Sequence, residues 1–375
     1  MGEISKRVRN NDGRMNLPLL TISARYGWMT QQSRFSASIA GREKKNYTLL
    51  KKHQLSYNHG NSKVAIYGTV YELTNYDEAL VPKVYHSFSL TPENSSKFIE
   101  SYFHTKKLDA QLRKFIASTA RMDGLLNISF DDFMKVKLFA PEQCEQSKIS
   151  RIINLIEKLI TLQQRKLEQL KQLKKAMLQQ LFVDKNNKQP NLRFKNFKGN
   201  WEQHRLEEVA QVTMGQSPSS KNYTDNPNDY VLVQGNADLK SNKISPRVWT
   251  KEVTKQVHKG EIIMTVRAPV GYLAMTNMDA VIGRGVAAID GNKYLYYLLQ
   301  TKLMDRTWEK LSSGSTFESI SSNDIKNLEI KVTETEEEKL IAKLMDTVTY
   351  FVTLQKNNLT QLTTLKKYLL QNLFI

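Results

Sequence analysis

A long stripe of apolar residues occurs twice in this chain. Residues 149–182 place Ile, Leu and Met at intervals of three and four positions, and residues 341–374 repeat the arrangement at a constant offset of 192. That spacing puts the apolar side chains on one face of an α-helix. No Pro or Gly interrupts either copy. The pattern predicts two amphipathic helices of about 36 residues, each roughly 54 Å long.

The two helices end in nearly the same sequence. LEQLKQLKKAMLQQLF (167–182) and LTQLTTLKKYLLQNLF (359–374) agree at ten of sixteen positions. Such stripes more often belong to two ordinary core helices, but here each copy closes a larger repeated unit. We therefore predict that the two stripes meet about a pseudo-two-fold axis. The predicted contacts come from Ile149, Ile156, Gln163, Leu170, Leu181, Ile341, Val348, Gln355, Leu362 and Leu373.

Two interpretations of Gln163 and Gln355 stay open. They occupy equivalent positions in otherwise apolar surroundings, where a mutual hydrogen bond would fix the register of the helices. The alternative is a pair of exposed glutamines. An antiparallel pairing is expected in either case, because parallel helices would crowd the two preceding domains at one end.

The regions before the helices predict short mixed elements. LPLLTISA (17–24), QLSYN (54–58) and VAIYGTVYEL (64–73) are rich in the β-branched and aromatic residues of strands. A helix is predicted over 93–106, with Pro92 at its first turn. The predicted segments are a first mixed domain (1–143), a long helix (144–183), a linker (184–199), a second mixed domain (200–335) and a second long helix (336–375).

The second mixed domain repeats the first. GLLNISFDDFMKVKL (124–138) aligns with TFESISSNDIKNLEI (316–330), and KKHQLSYNHGNS (51–62) aligns with HKGEIIMTVRAP (258–269). The loop YNHGNS therefore corresponds to MTVRAP, which places Asn58, His59 and Asn61 near the position of Arg267. The sequence predicts an α+β fold: two mixed α/β domains in a pseudo-two-fold arrangement, separated by an antiparallel coiled coil of two long helices.

The charge of the chain indicates a polyanionic partner. The net charge is +18 and the pI is about 9.6, values typical of nucleic-acid binding. A merely basic, solvated surface is the alternative. Cys144 is the only cysteine, so a disulfide framework or thiolate metal site is not expected within one chain. His53 and His59 lack Cys or acidic partners at ligand spacing, so we expect no metal site.

Targeting signals are not evident in the sequence. The first residues lack the apolar core of a secretory signal, and no apolar run reaches transmembrane length. We therefore expect a cytoplasmic protein.

Polar loops supply the candidate DNA contacts. Arg and Lys match phosphates and guanine edges, Asn and Gln match adenine, and exposed aromatic rings can stack on bases. In the first domain the candidates are Arg25, Tyr26, Trp28, Gln31, Arg34, Lys44, Asn58, His59, Asn61 and Lys63. In the second they are Gln216, Ser219, Lys221, Tyr223, Gln234, Asn236, Arg267 and Arg284.

Motifs for catalysis are weak or missing. GRGVAA (283–288) fits a dinucleotide-binding pattern, but IDGN follows at once and would break the helix that the pattern needs. No P-loop is present, and acidic residues are scattered rather than paired with lysine as in a nuclease. The sequence therefore favours a non-catalytic DNA-binding protein. A methyltransferase or nuclease, and a basic coiled-coil scaffold, are the alternatives.

Two polar-loop domains, each followed by a long helix ending LKKxxLQxLF, resemble the specificity subunit of type I restriction–modification systems. The resemblance covers essentially the whole chain and includes TVRAPVG (265–271) and GSTFESIS (314–321). It implies two target-recognition domains that each read one half of a bipartite site in double-stranded DNA. It also implies docking of two methyltransferase subunits and, through them, restriction subunits. S-adenosylmethionine, ATP and Mg would serve those partners, and no cofactor would be bound by this chain.

The two domains differ in how they begin. RFKNFKGNWEQHRLEEV (193–209) leads into the second domain, whereas MGEISKRV at the start of the first matches only LEEVAQV. We therefore expect the first domain to lack a counterpart of Trp201. A truncated sequence and a naturally short form are both open explanations.

Overall fold

The computed structural model describes residues 1–35, 41–117, 125–184, 187–312 and 319–374. It separates into two compact units. Unit 1 contains Met1–Gln164 and Asn357–Ile375, and unit 2 contains Arg165–Lys356. Each long helix therefore contributes one half to each unit. The boundaries of these units differ from those of the predicted segments, because each unit contains half of each long helix whereas each predicted helix formed a segment of its own.

Unit 1 begins with a mixed domain of short strands and helices. Its elements are β1 (Ser5–Arg7), β2 (Leu20–Ser23), β3 (Gly27–Thr30), α1 (Gln31–Phe35), β4 (Thr48–Lys51), β5 (Leu55–Asn58), β6 (Thr69–Glu72), β7 (Glu78–Val81), β8 (His86–Leu90), α2 (Ser96–His104), α3 (Asp109–Phe115) and α4 (Phe130–Met134). The main sheet is antiparallel and has the order β1-β8-β5-β6, while β2-β3 and β4-β7 form smaller pairs. The first long helix, α5 (Gln143–Leu181), follows this domain.

Two of the local predictions for this domain need correction. The segment 64–73 is a strand only from Thr69, because the Ser62 N–H donates to the Ala65 carbonyl oxygen at 3.1 Å and closes a turn. The helix predicted from 93 begins at Ser96, since the Ser95 hydroxyl accepts the Phe98 N–H as its N-cap. Pro92 is therefore not in the first turn. The predictions for 17–24 and 54–58 are confirmed by β2 and β5.

Unit 2 repeats the main sheet and enlarges the second one. Its elements are β9 (Glu202–Arg205), α6 (Leu206–Val209), β10 (Gln211–Met214), β11 (Tyr223–Thr224), β12 (Tyr230–Val233), β13 (Leu239–Lys240), β14 (Lys243–Ile244), β15 (Trp249–Thr250), β16 (Gln256–Val257), β17 (Ile262–Thr265), β18 (Leu273–Met275), β19 (Ala280–Ile282), β20 (Val286–Asp290), α7 (Lys293–Met304), α8 (Thr307–Ser312), α9 (Ser322–Lys326) and β21 (Glu329–Val332). The second long helix is α10 (Thr335–Asn372).

The main sheets of the two units have the same strand order. In unit 2 the antiparallel order is β10-β20-β17-β18, which corresponds strand for strand to β1-β8-β5-β6. A second sheet, β11-β15-β12-β19-β16, has no equal among the described residues of unit 1, where β2-β3 and β4-β7 stay separate pairs. The duplicated scaffold inferred from the sequence offsets is therefore present, with different additions.

In each unit one domain packs on the start of one helix and the end of the other. In unit 1, Ile149 and Ile153 of α5 share a core with Leu370 and Phe374 at the end of α10. In unit 2, the end of α5 shares a core with the start of α10, through Leu178, Leu181, Ile341 and Met345. The helix halves inside each unit thus run antiparallel.

The residues predicted to pair the helices lie on the inner side. Six are buried: Ile149, Ile156, Leu181, Ile341, Val348 and Gln355. Four are half-buried: Gln163, Leu170, Leu362 and Leu373. Gln355 is only 5% exposed, which agrees with a polar residue inside the pair. Its hydrogen bond to Gln163 stays a prediction.

Equivalent aromatic residues fasten each domain to a helix end. The Phe374 ring lies 5.0 Å from the Phe98 ring in unit 1, and the Phe182 ring lies 5.4 Å from the Tyr294 ring in unit 2. The phenylalanines are related by the offset of 192 and their partners by an offset of 196. The repeated C-terminal LF of the helix motif therefore marks the point where a domain is anchored.

The two domains begin differently, as the sequence indicates. The buried Met1 ammonium group donates to the Val136 carbonyl oxygen at 2.7 Å, as the Leu206 N–H donates to the Leu328 carbonyl oxygen at 2.9 Å. Burial lowers the pKa of this amino group. Met1 thus occupies the place of Leu206, which confirms the alignment of MGEISKRV with LEEVAQV. In unit 2, β9 precedes this position and pairs with β21.

A buried charge cluster joins the unit 1 domain to both helices. Lys97 Nζ lies 2.7 Å from Glu100 and 2.6 Å from Glu157 on α5, and Glu157 also pairs with Lys366 of α10 at 2.9 Å. Burial alone would lower the pKa of Lys97, but the two glutamates outweigh it and raise it. Burial likewise opposes ionisation of Glu157, yet the two lysines hold its pKa below the ordinary value. Lys97 and Glu157 therefore stay charged at neutral pH, whereas burial outweighs the neighbouring Lys97 and raises the pKa of Glu100.

Replacing Lys97 by methionine should destabilise unit 1. The substitution leaves the Glu100 carboxylate, whose side chain is 5% exposed, buried without its cation, which typically costs about 3 kcal/mol. The free energy of unfolding, measured by urea titration, should fall by that amount. Adding Glu100→Gln to Lys97→Met should restore most of the loss. Equal stability of Lys97→Met and the parent chain would show that the cluster does not seat the domain.

Candidate nucleic-acid interface

The strands of unit 2 deliver several loops to one edge. The Gln216 N–H donates to the Ile282 carbonyl oxygen at 2.9 Å, and the Gly283 N–H donates to the Val233 carbonyl oxygen at 2.8 Å. These bonds join the residues that follow β10, β12 and β19. We call this region the unit 2 loop edge and define it by residues 215–217, 234–236, 266–268 and 283–285.

Glycines allow the loops of this edge to lie against one another. A Cβ at Gly285 would be 2.0 Å from the Gln234 carbonyl oxygen, and one at Gly215 would be 2.1 Å from the Gly283 carbonyl oxygen. Neither position has room for a side chain. The glycines of GRGVAA therefore serve close backbone packing, and the strand β20 that begins at Val286 confirms that no dinucleotide-type helix follows.

Arg267 stands out from this edge on a firmly held loop. The preceding Val266 is buried, its N–H donates to the Gly285 carbonyl oxygen at 2.9 Å, and its own carbonyl accepts the Ile320 N–H at 3.0 Å. Gly271 closes the loop at φ +79°, where a Cβ would lie 2.6 Å from the Trp308 ring. The Arg267 side chain is exposed. The second motif of the family resemblance, GSTFESIS (314–321), lies mostly outside the described residues.

Arg284, Gln216 and Gln234 share the edge with Arg267. The Arg284 backbone N–H donates to the Ser217 hydroxyl at 3.1 Å, and the Arg284 side chain is exposed. The Gln234 amide donates to the Tyr223 hydroxyl at 2.7 Å, which fixes the orientation of both. Asn236 is exposed beside Gln234. The structure thus brings five of the predicted residues to one surface: Gln216, Gln234, Asn236, Arg267 and Arg284.

Ser219 and Lys221 lie on an ordered turn next to this edge. The Asn222 amide and the Ser219 N–H donate to one Glu252 carboxylate oxygen at 2.7 and 2.8 Å. These bonds lower the pKa of Glu252, so the carboxylate stays ionised and holds the turn. Lys221 is exposed on it and available to a phosphate. Only the backbone of Ser219 takes part in these bonds.

Sequence reasoning missed the residue that shapes the Gln234 loop. The buried Asp238 carboxylate accepts the Gln234 N–H at 2.8 Å, the Gly235 N–H at 3.2 Å and the Arg247 Nε–H at 2.9 Å. The sequence signal that could have identified Asp238 is its position three residues after Gly235, which is the spacing of a capping turn. Arg247 is therefore engaged with the protein rather than free for DNA.

The corresponding edge of unit 1 holds different residues. We define the unit 1 loop edge by residues 59–68, which follow β5, and residues 83–85, which precede β8. Asn61 and Lys63 are exposed there, as predicted for DNA contacts. Asn58 serves the fold instead: its amide donates to the Ile22 carbonyl oxygen at 3.1 Å, and its oxygen accepts the Gly60 N–H at 3.0 Å.

The prediction that His59 contacts DNA is wrong. The side chain is 1% exposed, and its ring nitrogens lie 2.7 Å from the carbonyl oxygens of Leu126 and Val84. His59 takes the buried position that Val266 has in unit 2, so Gly60 rather than His59 corresponds to Arg267. The alignment of 51–62 with 258–269 identified the corresponding loops correctly. The polar character of His59 alone could not show that its imidazole is buried.

The prediction for Gln31 is also wrong, and Trp28 is largely committed to the fold. Gln31 is 4% exposed, and its amide donates to the Tyr47 hydroxyl at 3.1 Å. The Trp28 indole N–H donates to the Glu72 carbonyl oxygen at 3.0 Å, which leaves only part of the ring accessible.

The remaining candidates of unit 1 fall into two places. Arg25, Tyr26 and Trp28 line a cleft of about 1040 Å³ against residues of both helices, including Lys158 and Lys366. Tyr26 is 69% exposed, with the Arg25 guanidinium 5.5 Å from its ring centre. The Arg34 side chain is exposed, and its guanidinium donates to the Ile22 carbonyl oxygen of β2. Lys44 is half-buried beside Tyr47.

Two other kinds of site are not found in the described part of the chain. Its His, Cys, Asp and Glu side chains form no group of three or more that could hold a metal ion. Within the same residues, none of the helices combines the length and apolar character needed to cross a membrane.

The chain is similar to known restriction proteins. Residues 198–364 match the family model of the type I restriction modification DNA specificity domain. Over 266 residues the chain is 28% identical to the MjaX type I restriction enzyme specificity subunit of Methanocaldococcus jannaschii. This match covers 68% of this chain and 61% of that protein. Over 185 residues it is 30% identical to the MjaIX specificity subunit of the same organism, covering 46% and 42%. The chain thus spans about three fifths or less of these curated relatives.

Solved structures extend the similarity in fold to the whole chain. The S subunit of a type I restriction–modification system from M. genitalium has a TM-score of 0.64 at 14% identity, covering 99% of this chain and 93% of that one. A chain from work on complex assembly and conformational transition of the type I R-M system has a TM-score of 0.59 at 19% identity, covering 100% and 96%. The α+β fold with two mixed domains and two long helices is therefore confirmed.

The resemblance read from the sequence is confirmed: residues 198–364 are similar to the type I restriction modification DNA specificity domain, and the chain is similar to curated type I restriction enzyme specificity subunits. A solved type I S subunit shares its fold.

Arg267→Ala should weaken recognition of one half-site only. If the guanidinium reads a guanine edge, the loss should be about 1–3 kcal/mol and the base preference at that position should relax. If it holds a phosphate, affinity should fall for all sequences and its salt dependence should become shallower. Fluorescence anisotropy on a panel of duplexes separates the two. Arg306→Ala, an exposed arginine off the loop edge, is the control. Unchanged affinity in a folded Arg267→Ala protein would remove this residue from the interface.

Proposed function

We propose that this chain is the non-catalytic DNA-recognition subunit of a type I restriction–modification complex and reads a bipartite target in double-stranded DNA. One observation carries the proposal. Units 1 and 2 present the same strand ends with different loop residues, such as Gly60 in one and Arg267 in the other. One scaffold with two loop chemistries suits two different half-sites. The net charge of +18 supplies the sequence-independent attraction to phosphates.

The chemistry of modification belongs to partners in this proposal. Two methyltransferase subunits would use S-adenosylmethionine, and restriction subunits would use ATP and Mg, all in the cytoplasm where the host DNA lies. The weak or missing catalytic motifs in the sequence support this division of roles. A DNA-acting enzyme and a basic coiled-coil scaffold are the competing functions. The exposed arginines and amides of the loop edges favour recognition over a scaffold.

Selection from a random duplex pool tests the proposal. The chain, purified with its methyltransferase subunits, should enrich a motif of two short blocks separated by a fixed gap. The chain by itself, incubated with DNA, S-adenosylmethionine and Mg²⁺, should leave the DNA unmodified. A motif with a single block, or turnover by a preparation free of partners, would contradict the proposal.

The outer face of the first long helix fits a partner protein. Ile152, Leu155, Leu159 and Leu162 of α5 are 42–60% exposed and recur at intervals of three and four. They lie on a different face from the buried Ile149, Ile153 and Ile156. Phe351 and Leu354 of α10, equivalent to Leu159 and Leu162, are also exposed, at 49% and 40%. Exposed apolar stripes of this kind mark protein interfaces, and a repeated stripe suits two copies of one methyltransferase subunit.

Leu155→Asp should therefore weaken assembly without unfolding the chain. A carboxylate buried in an apolar interface costs several kcal/mol, whereas at a position already 52% exposed it should leave stability nearly unchanged. Analytical ultracentrifugation with the methyltransferase subunit measures the loss. Gln164→Asp, at another exposed position of α5, introduces the same single negative charge as a control and should assemble normally. Full assembly of Leu155→Asp would show that the partner binds elsewhere.

A further inference from the structure

Two exposed apolar side chains project from the unit 1 loop edge. Val64 is 51% exposed and Ile66 is 52% exposed, and the exposed Lys63 precedes them. Single exposed apolar residues are common and need no explanation. Val64 and Ile66 are two β-branched residues within three positions, on the loop edge that would face DNA in the proposed function. This is a more specific arrangement. They indicate a ligand that combines negative charge with apolar surface.

The loop that carries them is held in place at several points. The buried Tyr57 hydroxyl donates to the Tyr67 carbonyl oxygen at 2.6 Å. The Ala65 N–H donates to the Ser62 hydroxyl at 3.1 Å, and the Ser62 N–H donates to the Ala65 carbonyl oxygen at the same distance. Val64 therefore lies within a closed turn, and Ile66 follows it directly. Their exposure is a fixed property of the surface rather than a consequence of a loose chain.

A second loop adds to this surface. The buried His59 ring nitrogen lies 2.7 Å from the Val84 carbonyl oxygen, which joins residues 83–85 to the base of the Val64 loop. Val84 is 43% exposed and Lys83 is exposed beside it. Each loop thus presents an apolar side chain next to a lysine. In duplex DNA the phosphates flank a major groove in which thymine alone presents a methyl group.

We propose that Val64 and Ile66 recognise thymine through its C5 methyl group in the major groove, while Lys63 contacts a neighbouring phosphate. This inference rests on the proposed function and adds the chemistry of one half-site. In unit 2 the corresponding loop carries Arg267, a group suited to guanine. The two units would then differ in the kind of readout: apolar contact in unit 1 and charged hydrogen bonds in unit 2.

Uracil substitution tests the proposal directly, because uracil differs from thymine only in lacking the methyl group. Each thymine of the unit 1 half-site is replaced in turn, and affinity is measured for the full chain with its methyltransferase subunits. The parent should lose about fourfold in affinity for each contacted methyl group removed. The variant Val64→Ser, Ile66→Ser, which removes the methyl groups of both side chains, should bind thymine and uracil duplexes equally. Val209→Ser, at a site 40% exposed in unit 2, should discriminate like the parent.

The outcomes separate this proposal from the function on which it rests. Selective binding of a bipartite site with equal affinity for thymine and uracil in the parent would overturn the thymine contact and leave the recognition function standing. Absence of selective binding would overturn both. Insertion of the side chains between bases is a third outcome against the proposal. It would appear as 2-aminopurine fluorescence that rises at one step in the parent and not in the variant.

Discussion

Everything in this protein depends on the antiparallel sharing of two helices by two domains. Each unit completes its core with the first half of one helix and the last half of the other. Unit 1 ends on Phe374 against Phe98, and unit 2 on Phe182 against Tyr294. In each unit, one of the buried apolar clusters of the domain includes residues of both helices. In each unit, halves of both long helices are therefore part of the hydrophobic core.

At the domain–helix junction the apolar contacts repeat, and so does one lysine: Lys97 and Lys293 are related by the offset of 196, but their acidic partners on the helices differ. Unit 1 uses Lys97 between Glu100 and Glu157, and unit 2 pairs Lys293 with Asp346, which also accepts the Tyr297 hydroxyl at 2.8 Å. Apolar packing fixes where the domain sits, because it is common to both units. Each unit thus keeps the apolar anchor and one lysine at the junction, while the acidic partners and the loop edges differ.

The sequence predicted most of the scaffold and part of the interface. Period and repetition revealed the helices, the duplication and the alignment of Met1 with Leu206, because each depends on spacing. The inward turn of His59 and Gln31 could not be read, since both are polar residues in polar loops and their burial depends on carbonyl and hydroxyl groups distant in sequence. Arg267 was placed on its loop by the alignment of 258–269 with 51–62, and its side chain is exposed directly after the buried Val266.

If the shared helices set the separation of the half-sites, lengthening them must lengthen the target. One heptad would be inserted after Gln164 and another after Lys356, where the helices pass from one unit to the other. A heptad keeps the apolar stripe on the same face and adds about 10 Å, close to three base pairs at about 3.4 Å each. Mapping the methylated adenines of cells carrying this variant is the decisive measurement. Our account predicts the same two half-sites with a gap about three base pairs longer. Full activity with an unchanged gap would contradict it.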